Sequence, residues 1–314
     1  MQLLVSILIP CYNAAPWLAE TLDCVLSQTW ENKEIILVDD GSNDDSVDIA
    51  HAYEHRGVTV ITQANKGASA ARNAAFSASQ GQWIQYLDAD DLLAPDKIER
   101  QMSMAAREGP ERIICARWAR FYNSLADAFF AEQPLCADAN PVDWVVRKAS
   151  SQVSLMMHPA AWLASRELIE RAGPWDERLS LDDDGEFFSR LILTSSGVRH
   201  CPQACSYYRS RVPDSLSGQR TANAWRSAFL SLELTAQKLL SIEDSPRTRR
   251  ACGDTFQRLY YNMYPDCSEL AQACRSRTKA FGGGTIRPEM GPKLQIASAL
   301  IGWKFAKRLK KVIG

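Results

Sequence analysis

Along its first 120 residues the chain alternates between short, almost wholly apolar runs rich in Val and Ile and longer stretches of helical periodicity. That alternation is the signature of strands and amphipathic helices repeated as βαβ units, and it predicts an α/β fold with a mostly parallel sheet. Five strands are expected, at 3–9 (LLVSILI), 33–39 (KEIILVD), 58–62 (VTVIT), 82–88 (QWIQYLD) and 112–118 (RIICARW), with helices near 15–28, 44–55, 68–79 and 95–107. The strands are apolar at nearly every position rather than at every second one, so helices should cover both faces of the sheet. After residue 120 the alternation fades, and 121–150 reads as an irregular excursion. Helices return near 165–173 and 182–196, a strand or hairpin is expected at 198–209, and 222–281 is helical with breaks near Pro246 and Pro265. The stretch FGGGTIRPEMGP at 281–292 is a linker by composition. The pattern divides into an α/β domain over 1–215, a helical extension and linker over 216–292, and a last helix over 293–314.

With 314 residues, 46% of them hydrophobic and 23% charged, the chain can bury a full core and is neither disordered nor of low complexity. The net charge of −1 gives it no electrostatic reason to bind nucleic acid. The distribution is less even: the segment from Lys293 onward has six basic residues and no acidic one. There Leu, Ile, Trp and Phe alternate with lysines, which suits either an amphipathic helix lying on an inner-membrane surface or a helix packed on the domain with its lysines in solvent. The opening MQLLVSILIPCYN lacks a basic leader and its apolar run is short, so it reads as a strand. No run reaches the ~20 apolar residues of a membrane span. The nine cysteines are odd in number and contain no C-x-x-C pair, which fits reduced, buried thiols. A cytoplasmic location, at most peripheral on the cytoplasmic face of a membrane, is the expectation.

In an open parallel sheet, ligands bind beyond the carboxyl ends of the strands. Here those positions are polar: Pro10-Cys11-Tyr12-Asn13 after the first strand, Asp39-Asp40-Gly41-Ser42 after the second and Asp88-Ala89-Asp90-Asp91 after the fourth. In extended chain the side chains of Asp88 and Asp90 share a side, and hard carboxylate oxygens suit Mg²⁺ or Mn²⁺. The same aspartates also fit as helix caps or turn residues. Asn65-Lys66-Gly67 through Arg72-Asn73 places a Gly and two cations at the start of a helix, where an anion is favoured. Neither G-x-x-x-x-G-K-[ST] nor G-x-G-x-x-G is present, which argues against a P-loop NTPase and a dinucleotide enzyme. Asp182, Asp183, Asp184 and Glu186 crowd the start of another helix, more carboxylates than capping needs. Such crowding can raise one pKa into the range useful to a general base. The four histidines form no visible Ser/His/Asp or Cys/His constellation.

Taken in order, VSILIPCYN, the LSQTW at 26–30, EIILVDDGSNDDS, NKGASAARN, YLDADD and the later acidic helix resemble the inverting family 2 glycosyltransferases of GT-A fold, over roughly residues 3–210. The resemblance implies transfer of a sugar from a nucleotide-diphosphate donor, with a UDP-sugar as the default, to a hydroxyl of a glycan or lipid-linked acceptor in surface polysaccharide synthesis. It further implies that Tyr12, flanked by Pro10 and Asn13, stacks on the base and that Asp40 receives the base N–H. Lys66 and Arg72 are then donor-binding cations, and Asp88 faces the ribose or sugar. Asp90 is the expected Mn²⁺ or Mg²⁺ ligand, with Asp91 as the alternative. Asp184 is the expected base, with Asp183 as fallback. Trp175 and Asp176 are expected at the acceptor, Trp175 as a sugar platform, and Arg209 and Arg211 at the diphosphate. A sugar nucleotidyltransferase and a non-catalytic nucleotide- or carbohydrate-binding relative are the alternatives. The first should carry a Gly-rich basic loop after strand one, and the second should have lost the acidic cluster.

Overall fold

The computed structural model describes residues 2–212, 218–290 and 298–313. The four expected parallel strands form as β1 (Val5–Cys11), β2 (Lys33–Asp39), β3 (Val58–Thr62) and β4 (Trp83–Tyr86), joined by α1 (Ala15–Leu26), α2 (Ser46–Ala52) and α3 (Ala68–Ala78). β1 lies between β2 and β4 and pairs parallel to both, so the carboxyl ends of these strands share one edge. Val5, Ile7, Leu8 and Ile9 are fully buried, as a strand covered on both faces requires.

The second half of the sheet is mixed. A two-residue strand, β5 (Leu92–Leu93), is followed by α4 (Lys97–Glu108) and a ten-residue β6 (Arg112–Phe121). β7 (Trp162–Ser165) inserts antiparallel between β4 and β6. The long β8 (Gly197–Arg209) runs parallel to β6 with a register shift at Ala116/Arg117 and pairs antiparallel with β5. The strand order is therefore β3-β2-β1-β4-β7-β6-β8-β5. The excursion expected at 121–150 ends in a helix, α5 (Pro141–Ser150), whose start is set by Asn140 capping the Asp143 N–H and by Pro141 in the first turn. α6 (Arg166–Ala172) and α7 (Asp183–Thr194) lie between β7 and β8 in sequence.

Three helices, α8 (Ala222–Ile242), α9 (Pro246–Met263) and α10 (Ser268–Ala280), make up the C-terminal region, with α11 (Trp303–Ile313) after them. They are not a separate body. Trp225, Leu239, Phe256 and Met263 share one buried apolar cluster with Leu8, Ile36, Trp162 and Phe187 of the sheet and α7. The boundaries expected at 215/216 and 292/293 fall where at least one flanking residue lies outside the described residues. All nine cysteines are free thiols, and six are buried.

Candidate active site

The loop after β4, at the carboxyl edge it shares with the loops after β1 and β2, is tied to the start of α7 far along the chain. The link is Arg72 on α3. Its Nη2 donates to Asp88 Oδ1 and its Nη1 to Asp183 Oδ2, each at 2.8 Å, and Ser69 Oγ donates to the same Asp183 oxygen at 3.2 Å. Burial works to lower the Arg72 pKa, but Asp88 and Asp183 outweigh it and hold the guanidinium charged. Arg72, expected to face the donor, is thus a buried clamp between two carboxylate loops; an Arg left without those partners could not be held inside the protein.

Asp183 is committed to that clamp, whereas Asp184 is only half-buried beside it. Burial first, then the neighbouring charges of Asp183 and Asp182, push Asp184 up to about 7, against the opposing pull of Lys148 and Arg72. A carboxylate poised there suits proton abstraction near neutral pH.

The three aspartates after β4 have separate fates. Asp88 is paired with Arg72. Asp91 is fully buried, and its Oδ1 accepts from the Arg209 N–H at 2.9 Å while its Oδ2 is hydrogen-bonded to His158 Nδ1 at 2.8 Å. Both oxygens being taken, Asp91 does not fit the alternative role of metal ligand. The same His158 reaches Ser206 Oγ with Nε2 at 2.8 Å, so a Ser-His-Asp line that spacing alone hid does exist. Its members are at most 1% exposed, which rules out nucleophilic use; the line fastens the β4 loop to β8. Burial pushes His158 down to about 3 and keeps it neutral.

Asp90 remains. Among the described residues no side chain hydrogen-bonds to its carboxylate, and burial, Asp91 and Asp88 push its pKa well above the usual carboxylate range. A crowded carboxylate of hard oxygens with no side-chain hydrogen-bond partner among the described residues fits a divalent cation. Among the described residues no three metal-binding side chains converge, so such a cation would complete its shell with substrate and water oxygens, as Mg²⁺ commonly does.

At the β1 end, Tyr12 is 49% exposed, with its ring open at the edge of the sheet, while Pro10 is buried in β1. Asn13 ties the first loop to the second: its N–H donates to Ser42 Oγ at 2.9 Å and its Oδ1 accepts from the Asn43 N–H at 2.8 Å. Asp40 departs from expectation. Its carboxylate accepts from Gln63 Nε2 at 2.7 Å and from the backbone N–H groups of Lys66 and Gly67 at 2.9 and 2.7 Å, and it is 2% exposed. Asp40 therefore occupies the anion position expected at the start of α3, and Lys66 contributes there through its backbone with its side chain in solvent. Gly41 makes the approach of these loops feasible, since a Cβ there would stand 2.9 Å from the Asn65 nitrogen.

Trp175 is also corrected. It is 2% exposed, stacked on Phe187 at 4.0 Å between ring centroids with the Arg72 guanidinium 4.4 Å from its own centroid, so neither face is open to a sugar. Asp176 is ion-paired with the exposed Arg178 and, with Glu186, Arg190 and Lys238, lines a cavity of about 480 Å³ between α7 and α8. Arg209 is 4% exposed and spends its guanidinium on Glu20 Oε2 at 2.6 Å and the Asp90 carbonyl at 2.8 Å. It braces the β4 loop, while the guanidinium of Arg211, the other residue expected at the diphosphate, lies 4.5 Å from the Tyr122 ring centroid in a small cavity shared with Trp17. The Glu20–Arg209 pair and the His158 line leave no local trace in the sequence because their partners lie 48 to 189 residues apart.

The family description "Glycosyl transferase family 2" matches residues 6–135. The glycosyltransferase GlyG of Streptococcus pneumoniae serotype 4 is 36% identical over 220 residues, 67% of this chain and 72% of its own. The glycosyltransferase EpsJ of Bacillus subtilis is 32% identical over 68% of this chain, a match that spans 63% of EpsJ. TuaG of Bacillus subtilis, named for teichuronic acid biosynthesis, is 40% identical over 32% of this chain and 40% of its own. Among solved structures, Staphylococcus aureus TarS in complex with UDP-GlcNAc superposes with a TM-score of 0.63 at 15% identity over 88% of each chain. The mannosyltransferase PcManGT of Pyrobaculum calidifontis, in complex with GDP-Man and Mn²⁺, superposes with a TM-score of 0.54 at 17% identity over 98% of this chain and 83% of that one. A mostly parallel sheet with its aspartates at one edge, the acidic helix facing them and these likenesses agree: the chain belongs to glycosyl transferase family 2 and is a glycosyltransferase of GT-A fold.

Proposed function

We propose that this glycosyltransferase moves a sugar from a nucleoside-diphosphate donor to an acceptor hydroxyl with inversion at the transferred carbon, and that Asp184 is its base. The observation that carries this reading is a single half-buried carboxylate poised at about 7 next to Asp183, which the Arg72 clamp joins to Asp88 at the donor edge. Asp184 takes the acceptor hydroxyl proton as that oxygen forms its bond to the anomeric carbon. The bond from that carbon to the diphosphate oxygen breaks on the opposite face, and the electron pair leaves with the nucleoside diphosphate. Tyr12 offers the base a stacking surface, and the exposed Arg211 and Lys66 supply cations for the diphosphate. Asp90 would hold Mn²⁺ or Mg²⁺, which when bound neutralises charge growing on the leaving diphosphate. Asp183 and Asp88 keep Arg72 in place, and Asp176 stands at the acceptor side. A UDP-sugar is the favoured donor, because the relatives of known complex include one with UDP-GlcNAc; GDP-Man in another keeps guanine in the test.

The test is release of nucleoside diphosphate from a panel of UDP-, GDP-, dTDP- and CDP-sugars with Mn²⁺. One base should be preferred, and release from none of them would overturn the reading. Within that panel, Tyr12→Ala should weaken donor binding by roughly 5- to 150-fold, the ~1–3 kcal/mol of a base–aromatic stack, while leaving the melting temperature unchanged. Unchanged donor affinity would remove Tyr12 from the site.

The acceptor is proposed to be a glycan or lipid-linked glycan of a surface polysaccharide, consistent with the biosynthetic role named for TuaG. The C-terminal helix supports a peripheral contact with the cytoplasmic face of the membrane. No helix among the described residues is long and apolar enough to cross a membrane. α11 instead docks by one side, with Trp303 edge-on to Tyr260, Tyr261 and Tyr264, Ala306 buried and Lys307 donating to the Tyr261 carbonyl. Phe305 of α11 is 58% exposed, and Leu300 and Ile301 just before the helix are exposed too, beside the exposed Lys304 and Arg308. Apolar groups flanked by cations are what an anionic lipid surface binds. The protein should therefore sediment with phosphatidylglycerol vesicles at low salt and not with phosphatidylcholine ones, and Ile301→Ser with Phe305→Ser should abolish it. Equal sedimentation with both lipids, or with neither, would contradict the contact.

A further inference from the structure

The loop that delivers Asp183 and Asp184 is held from behind by α8. Ser227 Oγ accepts from the Ser180 N–H at 2.7 Å and donates to the Leu181 carbonyl at 2.8 Å. One helical turn on, Ser231 Oγ donates to Asp182 Oδ2 at 2.6 Å. Both serines are buried, at 5% and 0% exposure, and a spacing of four places them on one face of the helix. Three successive residues, 180, 181 and 182, are thereby fixed by two hydroxyls immediately before the acidic pair. Asp182 turns the chain into α7 with a left-handed φ of 66°, so its backbone needs such support. Its carboxylate folds over the first turn of the helix: a Cβ on Gly185 would stand 2.0 Å from Asp182 Oδ1, a space that only glycine leaves free. α8 lies outside the residues 6–135 that carry the family match, so nothing in that match assigns it a part in the reaction.

We propose that Ser227 and Ser231 are positioning residues for the transfer, two rivets by which α8 holds the 180–182 loop and so sets where the Asp184 carboxylate stands. The inference rests on Asp184 being the base. Charged groups reach Asp184 from each packed element: Asp183 and Asp182 from its own loop, Lys148 from α5 and Arg72 from α3. Loosening the loop opens Asp184 to water and lets its carboxylate fall back toward an ordinary value. Among the described residues these serines hydrogen-bond to Ser180, Leu181 and Asp182 and not to the loops after β1, β2 and β4 that form the donor edge. The predicted signature is therefore loss of turnover without loss of donor binding.

The experiment compares Ser227→Ala, Ser231→Ala, the double variant and Gly185→Ala with wild type, alongside Asp184→Asn. Alanine is a good helix former, so α8 should keep its fold, and circular dichroism checks this. Each single serine variant should lower kcat about tenfold and the double variant at least thirtyfold, since misplacing a catalytic group by an ångström can cost about a hundredfold. The donor KM should stay within twofold, and the acid limb of the kcat profile should move to lower pH. Gly185→Ala keeps both serines but displaces the Asp182 carboxylate, and it should reproduce the loss. A folded double variant with kcat and pH profile unchanged would overturn the proposal, as would a loss confined to donor KM. If Asp184→Asn itself retains wild-type turnover, it is the base assignment that fails; if Asp184→Asn is inactive and the serine variants are not, only the positioning role fails.

Discussion

Replacing Asp184 by Asn is expected to lower kcat by about a thousandfold while leaving nucleoside-diphosphate binding within twofold of wild type. A positioned general base typically supplies 10²–10⁴-fold of rate, and the amide keeps the shape of the carboxylate without its basicity. Steady-state kinetics with a calorimetric binding measurement separates the two quantities. The same carboxylate sets the pH dependence. Held at about 7, it must lose its proton before it can act, so kcat in the wild type should rise with pH up to about 7 and level off above it. A second consequence concerns stability. Asp184 is raised above its value in the unfolded chain, so the folded state binds its proton more tightly. Folding stability from this group is then greatest below the unfolded carboxylate pKa, falls as pH rises, and reaches its full penalty above about 7. Asp184→Asn should therefore melt higher than wild type by more at pH 8 than at pH 5. A variant that loses turnover but gains stability in this way marks a residue kept for chemistry rather than for the fold.

Asp90→Ala is the second large expected effect. Of the three aspartates after β4, Asp88 is spent on Arg72 and Asp91 on His158 and Arg209, so no neighbour can take over its cation. Turnover with saturating Mn²⁺ should fall at least a hundredfold, and adding more Mn²⁺ should not restore it. Asp91→Asn should behave differently. It disturbs a fully buried hydrogen-bonded line, so its main effect should be a lower melting temperature, with metal dependence retained in the protein that folds. If instead Asp91→Asn abolished metal-dependent turnover at unchanged stability, the division of labour among these aspartates would be wrong.

The half of the fold that could be read from the sequence is the half built from parallel strands. Buried on both faces, β1 and the inner part of β2 are continuous apolar runs, and the polar residues that stop them stand at the ligand-binding edge by the geometry of the fold. β7 left no such trace, because Trp162–Ser165 is four residues long and owes its place to pairing with β4 and β6 on either side. α5 has a local signal, the Asn140-Pro141 start, but it lies within an otherwise irregular stretch. At the site, residue types were legible and partners were not. Arg72 and Asp183 are 111 residues apart, and nothing local distinguishes a cation that clamps two carboxylates from one that meets a phosphate. Asp40 shows the same limit: a carboxylate at a strand end suits a nucleobase and suits equally the backbone N–H groups of Lys66 and Gly67 that it holds. The serines of α8 carried no signal at all, since a Ser in an amphipathic helix is unremarked until the loop it holds is seen.

The most direct measurement is a thermal-shift screen of UDP, GDP, dTDP and CDP, with and without Mn²⁺, on the wild type and on Asp90→Ala. Stabilisation of the wild type by one nucleotide that requires Mn²⁺, absent in Asp90→Ala, is the result predicted for a donor site at this edge of the sheet. Stabilisation by none of the four, or by one of them equally in both proteins and without metal, would contradict it.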